Sequence, residues 1–141
     1  MSVDSFQNTS PSVAIDLGRR VLRRGAVVVA LLGIALVHLL DVKGKLQEVP
    51  YIGVMFIALI ASSLVLAELL IRTDDPRVWL ASGMLAGMTL FGYIVSRSVG
   101  MPGDGGADIG NWFEPLGLAS LLIETVVLVS AVARLADQPK R

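Results

Sequence analysis

Long apolar stretches separated by short polar segments dominate the pattern of hydrophobic and polar positions along the chain. Four stretches predict membrane-spanning helices, because a helix needs roughly 20 apolar residues to cross the hydrocarbon core of a bilayer. Backbone amides have no water to bond there, so each span should be helical throughout. The predicted spans are about Gly25–Leu40 extended backward to Val21, Tyr51–Ile71, Val78–Val95 and Pro115–Ala133.

Proline and acidic residues mark the starts of the later helices. Asp75-Pro76 and Glu114-Pro115 each read as an N-cap followed by proline in the first turn, and Pro50 precedes the second span. The connections 41–50 and 72–77 are short, which predicts antiparallel neighbours. The predicted fold is an all-α antiparallel bundle of four transmembrane helices over residues 21–134, with an outer loop at 96–114. A flexible N-terminal tail, 1–20, and a C-terminal tail, 135–141, flank it.

The distribution of Lys and Arg predicts the orientation of the bundle. Nine lie on one predicted side and three on the other, which places both termini in the cytoplasm. The nine are Arg19, Arg20, Arg23, Arg24, Arg72, Arg77, Arg134, Lys140 and Arg141. The three on the opposite side are Lys43, Lys45 and Arg97. The predicted location is therefore the cell membrane, as a multi-pass protein with the lipid bilayer as its solvent.

Composition excludes several classes of function. The 141 residues are 54% hydrophobic and include no Cys, so disulfides and thiolate metal sites are absent. Net charge is zero, which gives no reason to expect nucleic acid as a partner. We find no phosphate-binding glycine motif, no catalytic triad around the single histidine and no second histidine to ligate haem. No cofactor is therefore predicted, and an enzyme is the less favoured interpretation.

Small residues predict where the helices touch. Gly83 and Gly87 form a GxxxG motif in the third span, which allows close backbone approach. Two stripes combine small and polar residues and are predicted to face the bundle interior, although a homodimer contact would use the same chemistry. They are Ala58, Ala61, Ser62, Val65 and Glu68 in the second span, and Gly117, Ser120, Glu124 and Ala131 in the fourth.

Two acidic residues lie inside predicted spans. Glu124 is near the middle of the fourth span, where an ionised carboxylate costs at least a few kcal/mol. It is either a proton or cation site, or a neutral acid hydrogen-bonded to a neighbouring helix, with Thr89 and Tyr93 as candidate partners. Glu68 is one turn from the end of the second span, and an ion pair with Arg72 is predicted.

A polar cluster is predicted at the outer face. His38 and Asp41 lie one turn apart on the first helix, and such a pair either binds a metal, relays a proton or is merely structural. One histidine without cysteine makes a poor zinc site, so any metal is left unknown. Arg97 ends the third span and Glu114 opens the fourth, which predicts an ion pair between the two ends of the loop.

The loop between the third and fourth spans, within GMPGDGGADIGNWFEPLG, is rich in glycine and acidic residues. Its glycines permit sharp turns, so the loop can fold over the mouth of the bundle. Asp104, Asp108 and Asn111 lack the register of an EF-hand calcium loop. A lid or a docking surface is therefore favoured over a calcium site.

The stretches HLLDVKGKLQEVPYIGVMFIALIASSLVLAELL (38–70), GYIVSRSVGMPG (92–103) and NWFEPLGLASLLIE (111–124) resemble uncharacterised small four-helix integral membrane proteins of actinobacteria. The resemblance covers most of the chain between the tails. It implies a bacterial inner-membrane location and carries no activity with it.

Two functions are consistent with these observations. The first is a non-enzymatic accessory subunit or sensor, which uses the outer polar cluster and acidic loop to bind a membrane-protein partner. The second is a proton- or cation-coupled transporter that works as a homo-oligomer, with Glu124 in its pathway. A membrane enzyme with His38 as acid or base is a weaker third interpretation.

Overall fold

The computed structural model describes residues 11–137, and within that range every regular element is an α-helix. The four helices are α1 (Pro11–Glu48), α2 (Pro50–Arg72), α3 (Pro76–Ser98) and α4 (Pro115–Ala136). All four are long and apolar enough to cross a membrane. The predicted all-α class with four candidate spans is therefore confirmed.

Helix α1 is longer than the predicted first span at both ends. It runs on to Glu48, so only Val49 separates it from α2, where a ten-residue connection was expected. Residues 11–20, assigned to the predicted tail, also belong to α1, and residues 1–10 lie outside the described part of the chain. Hydropathy detects the membrane-embedded part of a helix, whereas Lys, Gln and Glu favour helix and extend it into the polar region.

Gly53 permits the abrupt turn from α1 into α2. A Cβ atom built at Gly53 would lie 2.5 Å from Leu46 Cγ and 2.7 Å from the backbone nitrogen of Leu46. The first turn of α2 therefore packs directly against the last turns of α1. Any side chain at this position would force the two helices apart.

Helices α3 and α4 begin as the sequence predicts. The Asp75 side chain accepts a hydrogen bond from the Arg77 amide at 2.8 Å. The Glu114 side chain accepts from the amides of Leu116 and Gly117 at 3.1 and 2.7 Å. Each cap satisfies amides that the first helical turn leaves unpaired, and proline follows in the first turn.

The helices do not pack equally against one another. Helix α1 packs most extensively against α2, and α3 against α4, while α1 and α4 join the two pairs. Of the four pairs of helices that are neighbours in the bundle, α2 and α3 touch least, although only three residues separate them in the chain. The main core lies along α1 and is built from residues of all four helices, including Val27, Leu31, Ile34, Leu70, Trp79 and Val127.

Of the two predicted small-residue stripes, the one in α4 is buried and the one in α2 is exposed. In α4, Gly117, Ser120, Glu124 and Ala131 are buried, as predicted. In α2 the prediction is wrong, because all five stripe residues are exposed, and the helix buries Ile52, Gly53, Ser63, Ala67 and Leu70 instead. Lipid-facing and interior surfaces of a membrane helix are similarly apolar, so residue type alone did not distinguish them. The predicted Glu68–Arg72 ion pair is present on the exposed face.

The GxxxG motif of α3 serves the contact with α4. A Cβ atom at Gly83 would lie 2.9 Å from Ala131 Cβ, and one at Gly87 would lie 3.8 Å from Leu128 Cδ1. These glycines therefore lie at a contact between two helices of the same chain.

One end of the bundle, which we term the turn end, holds residues 73–75. The Arg23 guanidinium is 2.8 Å from the Asp137 carboxylate, which ties α1 to the end of α4. The Arg24 side chain donates hydrogen bonds to the carbonyls of Leu70 and Ile71 in the last turn of α2. Carbonyls there lack helical partners, so Arg24 caps α2 from a neighbouring helix.

Asp74 is the second anchor of the turn end. Its carboxylate accepts from Trp79 Nε1 at 2.6 Å and pairs with Arg134 at 3.0 Å. Burial alone would raise the pKa of Asp74, but the hydrogen bonds from Arg134 and Trp79 outweigh it and hold that pKa below its ordinary value. The short turn is thereby connected to α3 and α4 at once.

Candidate functional site

A cavity of about 400 Å³, which we term the cleft, lies between α2 and α3, the neighbouring helices that pack least extensively. Helices α2 and α3 contribute most of its lining, and the exposed side chains of Met55, Ser62 and Met88 line it, so it is reachable from outside the bundle. Phe56 and Leu85 add to its apolar walls. Its polar end is formed by His38, Asp41, Lys45, Arg97, Asp108 and Glu114.

An ion-pair cluster, which we term the clasp, closes this polar end. Asp108 in the loop binds two cations from different helices, with Oδ1 at 2.6 Å from Arg97 Nη1 and Oδ2 at 3.1 Å from Lys45 Nζ. Arg97 Nη2 is also 3.6 Å from Glu114 Oε2, so the predicted Arg97–Glu114 pair is present. The clasp therefore comprises Lys45, Arg97, Asp108 and Glu114, and it joins α1, α3, α4 and the loop.

Arg97 is held in place by more than its ion pairs. It is only 8% exposed, and its guanidinium carbon lies 5.0 Å from the centroid of the Tyr93 ring. Tyr93 in turn donates to the Trp112 carbonyl at 2.9 Å, and the Gly110 amide donates to the Arg97 carbonyl at 2.8 Å. The side chain and backbone of Arg97 thus both fix the loop.

Electrostatics favours the charged form of Asp108. Burial by itself raises the pKa of a carboxyl group, but hydrogen bonds and charges from Lys45 and Arg97 outweigh this effect. The pKa of Asp108 is therefore held below its ordinary value. The clasp should therefore persist at every pH above the lowered pKa of Asp108.

His38 and Asp41 both line the cleft, but no hydrogen bond joins them. His38 Nδ1 bonds the Ile34 carbonyl at 2.9 Å, and its ring meets Phe56 edge to face at 4.7 Å. This contact agrees with the structural role that the sequence left open for His38. Within residues 11–137, Asp41 has no hydrogen bond or ion pair, although the charge of Lys45 acts on it.

The other two loop candidates, Asp104 and Asn111, lie outside the clasp. Asp104 accepts hydrogen bonds from the amides of Met101 at 2.9 Å and Gly106 at 2.7 Å, while Asn111 is exposed. Five loop glycines have positive φ, which explains the tight folding of this segment. No group of three or more His, Cys, Asp or Glu side chains suited to a metal occurs in the part of the chain that the structure describes.

Glu124 does not line the cleft, although its partner Ser120 does. It is completely buried in the bundle, and Oε1 accepts a hydrogen bond from Ser120 Oγ on the same helix at 2.6 Å. The predicted partners were wrong, since Thr89 donates to its own helix backbone and Tyr93 to the loop. Among the described residues, Oε2 has no partner.

Sequence reasoning did not include Lys45 among the candidate site residues and did not pair Asp108 with any cation. Asp108 was predicted only as a residue of a lid or docking loop, whereas it is the residue on which Lys45 and Arg97 converge. The spacing of His38, Asp41 and Lys45 was the available signal. Residues separated by three, four and seven positions lie on one face of a helix, so Lys45 belonged with the other two.

No protein-family profile, curated protein or solved structure matches this chain. Functional inference therefore starts from the cleft, the clasp and Glu124. These are the places where polar groups meet the otherwise apolar bundle.

Proposed function

We propose that this chain is a multi-pass protein of the cell membrane, with antiparallel helices, both termini in the cytoplasm and the clasp on the opposite side. The four apolar helices support membrane insertion. The excess of Lys and Arg at the turn end supports the orientation. The Arg23–Asp137 and Lys45–Asp108 contacts support the antiparallel arrangement. The first joins the N-terminal half of α1 to the end of α4, and the second joins the C-terminal end of α1 to the loop that precedes α4.

Within the membrane we propose a non-enzymatic sensor or accessory subunit, for which the cleft is the recognition site. The observation that carries this proposal is the cleft itself, with apolar walls and one polar end beneath a fixed loop. Binding sites for small molecules are typically concave and mostly apolar, with a few convergent polar groups. Because the clasp links three helices to the loop, occupation of the cleft can be transmitted to the extracytoplasmic surface.

The test is to fill the cleft and ask whether associated molecules are lost. The protein is purified from native membranes as parent, Ser62→Trp and Val29→Trp. Ser62 is exposed and lines the cleft, whereas Val29 is exposed on α1 and does not. The two variants thus introduce the same bulk at lipid-facing positions on and off the site.

We expect a co-purifying protein or small molecule that is lost from Ser62→Trp and retained by Val29→Trp. Mass spectrometry of the purified samples provides the measurement. Recovery of bulk lipid alone, in equal amounts from all three proteins, would contradict a role for the cleft.

Glu124 favours a second candidate function, an oligomeric transporter coupled to protons or cations. A completely buried carboxyl group with one unpartnered oxygen is the kind of group that carries a proton or binds a cation inside membranes. Four helices leave little room for an aqueous path in one chain, so this function requires an oligomer.

Liposome flux separates the two candidates. A transporter that uses Glu124 should carry protons or monovalent cations, and Glu124→Gln should abolish that flux while it preserves side-chain shape. Ser130→Ala, on the same helix, provides the control. Equal flux in parent and Glu124→Gln would exclude the role of Glu124.

A further inference from the structure

We infer that the cleft takes a lipophilic amine, whose apolar body lies between α2 and α3 and whose protonated amino group meets Asp41 and His38. This inference rests on the proposed function and names the ligand class of that site. It follows from which polar atoms of the cleft remain without partners, from the balance of charge and from the apolar walls.

Apart from the inaccessible Nε of Arg97, the unpartnered atoms considered at the polar end are hydrogen-bond acceptors. His38 Nδ1 bonds the Ile34 carbonyl, which only accepts, so Nδ1 carries the hydrogen. In the neutral imidazole Nε2 is then an acceptor, and it has no hydrogen-bond partner among the described residues. The Asp41 carboxylate is a second acceptor without a partner in this part of the chain. A donor group on the ligand satisfies both.

The balance of charge also favours a cation. Three carboxylates line the cleft, those of Asp41, Asp108 and Glu114, against the two cations Lys45 and Arg97. Both cations are engaged within the clasp, and Lys45 also lies 3.3 Å from Glu48 outside the cleft. The carboxylate left over is that of Asp41. An ammonium group near Asp41 gains charge attraction that the low-dielectric surroundings screen weakly.

An anionic ligand is the main competitor, and the geometry of Arg97 disfavours it. The Nε atom of Arg97 lacks a hydrogen-bond partner among the described residues, but it has no accessible surface for a ligand to reach. Its Nη atoms already bind Asp108 and Glu114. An anion would therefore have to displace the clasp before it found a cation.

The walls and size of the cleft define the rest of the ligand. Met55, Phe56, Leu59, Leu85 and Met88 give it an apolar lining, and two of these five are flexible methionines that adapt to different shapes. A volume of about 400 Å³ is within the range of small-molecule sites and below that of a whole phospholipid. A single alkyl or aromatic body with one amino group fits this description.

The experiment uses the full-length protein in phosphatidylcholine nanodiscs, with empty nanodiscs to measure partition into lipid. Tritiated octylamine, protonated at about pH 7, is the probe. Octanol and octanoate, with the same chain length, compete as the neutral and anionic analogues. The variants are Asp41→Asn, Asp41→Glu, Ser62→Trp and the control Asp137→Asn, which removes a carboxylate at the turn end.

We expect saturable octylamine binding that octanoate does not displace. Asp41→Asn should weaken it roughly tenfold or more, the effect of losing a charge-assisted hydrogen bond. Asp41→Glu and Asp137→Asn should retain it, and retention by Asp41→Glu shows that the site is folded. Octanoate competition equal to that of octylamine, or unchanged binding in Asp41→Asn, would overturn the inference.

The two proposals fail in different ways. If all three probes bind equally and Ser62→Trp abolishes their binding, the cleft recognises ligands but the amine preference is wrong. If no probe binds saturably, the amine inference is overturned, and recognition by the cleft is then judged by co-purification with Ser62→Trp and Val29→Trp. If the co-purifying molecule is lost from Ser62→Trp and kept by Val29→Trp, recognition by the cleft is supported, and its ligand is not an amine.

Discussion

At the scale of single residues, Asp108 does most to organise the loop end of the bundle. One carboxylate contacts cations from α1 and α3, and its partners are largely shielded from solvent. Charge-assisted hydrogen bonds in such surroundings are stronger than exposed ion pairs, which contribute little. A glycine-rich segment that would otherwise sample many conformations is thereby held in one.

We predict that Asp108→Asn destabilises the protein by about 1–3 kcal/mol, because Lys45 and Arg97 lose a charged partner. Chemical unfolding in detergent, followed by circular dichroism, measures the difference. Asp137→Asn, which removes an exposed carboxylate from an ion pair at the other end, should change stability little. Equal effects of the two substitutions would show that the clasp has no special role.

The same carboxylate predicts a pH dependence. Because the pKa of Asp108 is lowered in the folded protein, its contribution is fully present above the ordinary value of 3.8 and is lost as the pH falls through the folded-state value. The gap in unfolding temperature between parent and Asp108→Asn should hold from about pH 7 to pH 5 and shrink below about pH 4. Gly25→Ala, which changes no charge, gives the control series. A gap that widens on acidification would refute this assignment.

At the scale of elements, α3 and α4 meet in a close contact between two small residues. Gly83 faces Ala131 so closely that an added Cβ atom would lie 2.9 Å from the Ala131 Cβ, a separation that real Cβ atoms do not show. Neither atom can move without its backbone. Small residues at such a crossing are the usual basis of tight helix packing in membranes.

We therefore predict that Gly83→Ala destabilises the bundle by about 1–3 kcal/mol through overpacking. Ala131→Gly, combined with Gly83→Ala, should restore part of that loss because it returns the missing space. Gly92→Ala on the same helix meets no atom within 4 Å and should be neutral or slightly stabilising. Thermal unfolding of the parent, the two single variants and the double variant measures these effects. A double variant no more stable than Gly83→Ala alone would argue against this contact.

At the scale of the whole molecule, the order of packing produces the cleft. Helix α1 contacts α2 and α4, and α3 contacts α4, so α2 and α3 form the least closed seam of the bundle. At the loop end, the clasp ties α3 to α1, α4 and the loop, and Asp74 with its partners organises the opposite end. A cavity reachable from outside the bundle, with a polar end, results from this arrangement.

Topology is the prediction that belongs to this scale. Reporters fused to either terminus should be located in the cytoplasm. A reporter inserted after Gly105, an exposed loop position, should be located on the opposite side of the membrane. Opposite locations for the two termini would overturn the proposed orientation and the antiparallel arrangement together. The bacterial inner-membrane address implied by the resemblance to actinobacterial proteins stays a prediction.

Much of the fold was predictable because its causes are local. Apolar runs of spanning length and the Asp75 and Glu114 caps depend only on nearby residues, and the structure has helices and caps at those places. The Arg97–Glu114 pair followed from the two ends of one loop. The length of α1 was missed, because polar helix formers continue a helix beyond the lipid without any apolar signal.

The sequence by itself determined that four apolar helices form and where three of them begin, since hydropathy and capping act over a few residues. Tertiary structure alone decided that α2 turns its small-residue stripe outward, that Asp108 gathers Lys45 and Arg97, and that a cleft opens between α2 and α3. The physical reason is that a bilayer makes the lipid-facing and buried sides of a helix chemically alike. Which side is buried, and which distant charges meet, then depends on how all four helices pack.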